Sequence, residues 1–128
     1  MVAESIFKQK HILVIDDDPI ILKSIQNQLK SQSFQLEIVN DPKEALRIAF
    51  EKEFDLVICD VKMEPINGLE ILQKIKSYRP GLPVIILTGY VDDQIRQKAK
   101  EIGSSDFLIK PVRKQQLIDA INNVKQIY

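Results

Sequence analysis

The chain has 128 residues, 45% of them hydrophobic and 28% charged, enough for one soluble domain with a true core and too few for two. Lys plus Arg number 18 and Asp plus Glu number 18, so the zero formal charge argues against whole-molecule attraction to nucleic acid or anionic lipid. The single cysteine, Cys59, and single histidine, His11, exclude an intrachain disulfide and a Cys/His zinc site, and fit a reducing compartment.

In chain order, residues 1–9 read as a short extension ahead of a single domain that makes up the rest of 1–128. Met1 to Lys10 lacks a signal-peptide core and no apolar run approaches a membrane span, so the expected location is cytoplasmic and no membrane partner is expected. A first strand is predicted at Ile12 to Ile15, then a helix carrying Ile21, Ile25 and Leu29 at helical spacing. Leu36 to Val39 is a weaker, more polar strand that suits the rim of a sheet, followed by a helix with Ala45, Leu46, Ala49 and Phe50. Leu56 to Cys59 and Val84 to Leu87 are continuous apolar runs of the kind buried on both faces in a parallel sheet, and Phe107 to Ile109 is a looser fifth. Helices follow each: Leu69, Leu72 and Ile75; Ile95, Ala99 and Ile102; Leu117, Ile121 and Val124.

Helix boundaries agree with this alternation. Asp18-Pro19 and Asp41-Pro42 each place a capping carboxylate before a proline at the first helical position, with Glu44 as a capping-box partner for Asp41. Gly103 suits the end of the fourth helix, whereas Arg113 offers no cap oxygen to the fifth. Five strand-helix repeats imply a parallel sheet covered on both faces, with ligands outside the carboxyl ends of the strands.

Those ends carry Asp16, Asp17 and Asp18 after the first strand, Asp60 after the third, Thr88 after the fourth and Lys110 after the fifth. Facing carboxylates repel, and partial burial makes ionising them all costlier unless a cation sits among them. An all-oxygen donor set favours a hard ion such as Mg2+, which accepts carboxylates together with a phosphoryl oxygen. An aspartate there can act as a nucleophile toward phosphorus if fixed positive groups, a metal and Lys110, match the developing charge, and Thr88 can hydrogen-bond the attached group.

The stretches His11-Ile12-Leu13-Val14-Ile15-Asp16-Asp17-Asp18-Pro19, Leu56-Val57-Ile58-Cys59-Asp60-Val61-Lys62-Met63 continuing to Gly68, Ile86-Leu87-Thr88-Gly89 and Asp106-Phe107-Leu108-Ile109-Lys110-Pro111 resemble, in order and spacing, the receiver domain of two-component response regulators. The resemblance spans about residues 10 to 127 and implies an α/β, doubly wound, flavodoxin-like fold with a five-stranded parallel sheet in the order 2-1-3-4-5, the arrangement of a familiar member of this family. It implies Asp60 as phosphoacceptor, Mg2+ (or Mn2+) held by Asp16, Asp17, Asp60 and the backbone carbonyl of Lys62, and Thr88 and Lys110 as phosphoryl contacts. Thr88 and Phe107 would form the switch, and the Lys110-Pro111 bond would be cis. The implied partners are a sensor histidine kinase or phosphotransfer protein as donor, and a downstream protein or output domain on the face made by the fourth helix, fifth strand and fifth helix; no direct nucleic-acid contact is implied. Lys62 and Tyr90, each two residues past a site residue, fall at positions that the resemblance implies flank the path of an attacking water, so a long-lived phosphoryl group is expected. The chain departs from the family pattern at Glu64, where proline is usual and Pro65 comes one place later, and at Ser104 after Gly103.

Plainer readings exist for single residues. Asp18 and Asp41 are explained by capping alone, Cys59 by packing, Phe107 by the core, and the basic residues Arg96, Lys98, Lys100, Arg113 and Lys114 by solvated surfaces. An alternative function is a Mg2+-dependent phosphatase of the haloacid dehalogenase type, for which Asp16 and Asp18 have the required spacing, although no cap-sized insertion is present and Asp60 would have no role. A flavin carrier on the same fold conflicts with the acidic triplet, which would repel a cofactor phosphate.

Overall fold

A computed structural model describes residues 9–89 and 92–124. Five strands, β1 (Lys10–Ile15), β2 (Phe34–Val39), β3 (Leu56–Cys59), β4 (Val84–Thr88) and β5 (Asp106–Ile109), alternate with α1 (Pro19–Leu29), α2 (Pro42–Glu51), α3 (Gly68–Tyr78), α4 (Asp93–Ile102) and α5 (Lys114–Asn123). All pairings are parallel and the strand order is β2-β1-β3-β4-β5. This is the flavodoxin-like arrangement that the motifs imply.

Side chains alternate along each strand, so the sheet divides the core into two apolar layers. Leu13, Ile15, Val57, Cys59, Val84 and Ile86 face the layer closed by α2, α3 and α4. Ile12, Val14, Leu56, Ile58, Ile85, Leu87 and Leu108 face the layer closed by α1 and α5. The three inner strands are buried on both faces, which is why they read as unbroken apolar runs. The outer strand β2 is largely half-exposed, which accounts for its polar sequence.

Strand ends differ slightly from the sequence reading. β1 starts at Lys10, where pairing with Phe34 and a bond from His11 N–H to Asp55 Oδ2 at 2.8 Å extend the ladder through polar residues. Thr88 is the last residue of β4, paired with Ile109, rather than the first residue after it.

The helix starts follow the capping chemistry. Asp18 accepts from Ile20 N–H at 2.9 Å and Asp41 from Lys43 N–H at 3.1 Å. Glu44 does not complete a box with Asp41: Arg47, one turn on, takes its carboxylate through Nε at 3.1 Å and through a second guanidinium nitrogen. The complete capping box lies instead at α3, where Asn67 accepts from Glu70 N–H at 3.0 Å and Glu70 accepts from Asn67 N–H at 3.5 Å. Gly103 ends α4 with φ at 119°, a conformation that favours glycine, and Arg113 precedes α5 without a side-chain cap bond.

Candidate functional site

The adjacent central strands β1 and β3 deliver two aspartates to one rim. The N–H of Asp60 donates to Ile15 O at 3.0 Å and that of Asp16 to Val39 O at 3.2 Å, so the ladder continues one residue past the strands and fixes both Cα positions. Both residues are buried, Asp16 at 2% and Asp60 at 7% exposure, while Asp17 faces solvent. Asp16, Asp17 and Asp60 each offer a carboxylate oxygen, all within 4.8 Å of one another. Asp18 stands apart from this group, its Oδ1 engaged at the start of α1.

Each buried carboxylate is held at one oxygen and turned toward a cation at the other. Asp16 Oδ1 accepts from Asp18 N–H at 2.9 Å, and Asp60 Oδ1 accepts from Val61 N–H at 2.8 Å. Lys110, from the end of β5, brings its Nζ to 2.7 Å from Asp16 Oδ2 and 3.4 Å from Asp60 Oδ2. The two buried carboxylates thus share the Lys110 ammonium, with Asp17 beside them on the solvent side. Burial, and then the neighbouring Asp16, push the Asp60 carboxyl above its ordinary range; Lys110 and the Val61 N–H oppose them. The donor set therefore fits a hard divalent cation, whose charge would relieve the repulsion that Lys110 balances only in part.

The remaining rim residues are placed by backbone contacts. Thr88 is 1% exposed, and its carbonyl accepts from Lys110 N–H at 2.8 Å, tying the ends of β4 and β5 together. The Lys110–Pro111 bond is cis, as expected, and so is Glu64–Pro65 in the loop that departs from the family pattern. Lys62 lies exposed in that β3–α3 loop, and Tyr90 lies outside the described residues. Phe107 is half-buried on β5, with the Arg96 guanidinium carbon 5.1 Å from its ring centre. Cys59 packs in the core, its S–H donating to Asp60 O at 3.2 Å and its thiol pushed well up by burial, so it stays protonated. His11 is at the opposite end of the sheet, its ring tilted at 44° against Phe54 and its Nδ1 3.1 Å from Glu53 O.

Sequence reasoning recovered the charged members of this site and missed two supports. Gly68 opens α3 against the strand end: a Cβ there would lie 1.9 Å from Asp60 O. Its spacing from Asp60 was legible, but the close approach is visible only in the fold. The Val61 N–H that holds Asp60 carries no side-chain signal at all.

A family model for the response regulator receiver domain matches residues 12–122. The chain belongs to that family. Receiver domains are signalling modules of two-component systems. ZraR, a transcriptional regulatory protein of Klebsiella oxytoca, is 37% identical over 105 residues, covering 82% of this receiver domain and 24% of ZraR. The chain thus spans about a quarter of the length of ZraR and of the Escherichia coli regulator GlrR. Among solved structures, a CheY-like receiver domain protein of Methanospirillum hungatei superposes with a TM-score of 0.86 at 30% identity, over 90% of this chain and 92% of that one. A receiver domain of Clostridium thermocellum gives 0.84 at 40% identity, over 89% and 92%. Among the described residues, no helix of the receiver domain is long and apolar enough to cross a membrane.

Proposed function

We propose that this domain accepts a phosphoryl group on Asp60 from a sensor histidine kinase or a phosphotransfer protein, in a reaction that depends on Mg2+ or Mn2+. The observation that carries the reading is the convergence of Asp16, Asp17 and Asp60 within 4.8 Å of one another, with the Lys110 ammonium against Asp16 and Asp60. Asp16, Asp17, Asp60 and the Lys62 backbone carbonyl would hold the divalent ion. When bound, it would supply positive charge to the carboxylates and to the transferring oxygens.

A carboxylate oxygen of Asp60 attacks phosphorus as the bond from phosphorus to the donor's nitrogen breaks, leaving an acyl phosphate and returning the electron pair to the donor. Asp60 is oriented for this by Val61 N–H, and Lys110 moves its charge onto the phosphoryl oxygens. The Thr88 hydroxyl donates to a phosphoryl oxygen, and Phe107, on the same face of the neighbouring strand, responds to that movement. The face made by α4, β5 and α5 then changes its affinity for a downstream protein or an output domain. The receiver acts in the cytoplasm, contacts no nucleic acid itself, and catalyses only its own phosphorylation and dephosphorylation. Lys62 and Tyr90 shield the acyl phosphate from water and lengthen its life.

A phosphatase of the haloacid dehalogenase type would need Asp18 as its second acid, and that carboxylate is committed to the α1 cap. A time course with radiolabelled acetyl phosphate separates the two readings. A receiver saturates at one label per chain without hydrolysing unrelated phosphate esters; steady turnover of such esters would overturn the proposal.

A further inference from the structure

Phe107 and Thr88 share one face of the sheet on neighbouring strands. Ile86 pairs with Phe107 and Thr88 with Ile109, which makes Thr88 and Phe107 diagonal neighbours under α4. The inner side of the Phe107 ring joins the apolar layer that also takes Ile95, Ala99 and Ile102 of α4. Its ring face is covered by Arg96, whose guanidinium carbon lies 5.1 Å from the ring centre, within the range of cation–π attraction. Arg96 is itself exposed, one position beyond the inward-facing Ile95, so only its side chain, lying back over β5, reaches the ring.

We propose that Arg96 is a positioning residue for Phe107: it holds the ring half-buried, and breaking this contact is part of the change that phosphorylation of Asp60 produces. This rests on the reading of Asp60 as phosphoacceptor and Phe107 as a two-state group. The contact stabilises the ring only where it is now. Removing it therefore shifts the ring population inward, and by linkage the site binds a phosphoryl analogue more tightly. An exposed cation–π pair corresponds to about a two- to five-fold change in that affinity.

The test uses the whole chain with Mg2+ and beryllofluoride, following Phe107 by NMR of ring-labelled phenylalanine, its signal assigned by its loss in Phe107→Leu. Arg96→Gln should tighten beryllofluoride binding about two- to five-fold and shift the free-state ring signal toward its bound position. Arg96→Lys, which keeps the cation, should behave like wild type, and Arg96→Gln in a Phe107→Leu background should change nothing. Unaltered affinity and ring signal in Arg96→Gln, or an effect that persists without the Phe107 ring, would overturn the role of Arg96 while leaving the site intact. Failure of the wild type to bind beryllofluoride would instead overturn the reading of the site, and the role of Arg96 with it.

Discussion

The Lys110 ammonium sits closer to Asp16 than to Asp60, 2.7 Å against 3.4 Å. The Lys110 charge is therefore spent mainly on the neighbour, and burial leaves Asp60 bearing the cost of its own charge. A group in that state gains from any added positive charge and from acquiring a substituent that draws Lys110 across.

The first consequence is a dependence of stability on pH. Burial and Asp16 raise the Asp60 pKa in the folded protein above the ordinary 3.8. Below that value Asp60 is protonated both folded and unfolded and contributes nothing to the pH dependence. As pH rises through the interval up to the folded pKa, the unfolded chain releases its proton first, so stability falls; above it, the full penalty persists. In metal-free buffer, Asp60→Asn should therefore unfold at a higher temperature than wild type at neutral pH, with the difference closing toward pH 4. Thermal melts across that range check it.

The second is stabilisation by the divalent ion. Mg2+ at a hundred times its dissociation constant should stabilise the wild type by about 2.7 kcal/mol, and a chelator should reverse the gain. Asp17 is exposed and makes no contribution to the core, so Asp17→Asn should leave the metal-free melt within about 0.5 kcal/mol of wild type while weakening the Mg2+ response. Denaturant unfolding with and without Mg2+ measures both.

The sequence carried most of the fold because the interior strands β1, β3 and β4 are buried on both faces and must be apolar throughout. It carried the charged part of the site because a parallel sheet gathers its strand ends, bringing Asp16, Asp60 and Lys110 together from positions up to 94 residues apart. Glu44 was misread because its ion pair with Arg47 competes with capping and no periodicity distinguishes the two. The roles of Val61 and Gly68 were hidden for another reason: one acts through its backbone and the other through the absence of a side chain.

The third prediction concerns Gly68. A methyl group there would meet the Asp60 carbonyl at 1.9 Å, and backbone cannot step aside as a flexible side chain can. Gly68→Ala should cost about 2 kcal/mol or more and slow phosphorylation by displacing Asp60. At Gly89 the nearest atom to an added methyl is Lys110 Cβ at 3.9 Å, an ordinary contact, so Gly89→Ala should stay within about 0.5 kcal/mol of wild type. Urea unfolding of the two variants gives the contrast.

The fourth concerns the lifetime of the acyl phosphate. If Lys62 and Tyr90 obstruct the in-line water, Lys62→Ala and Tyr90→Ala should each speed loss of label on the order of tenfold, and the double variant should be faster still. Decay of isolated phosphoprotein in excess Mg2+ reads this directly; unchanged half-lives would remove both residues from the account.

The central claim is that the acidic rim makes Asp60 a metal-dependent phosphoacceptor. Intact-protein mass spectrometry after incubation with acetyl phosphate tests it most directly. The wild type with Mg2+ should gain one phosphoryl group per chain, whereas Asp60→Asn, or wild type with a chelator, should gain none. The same gain in Asp60→Asn, or in wild type stripped of divalent ions, would contradict it.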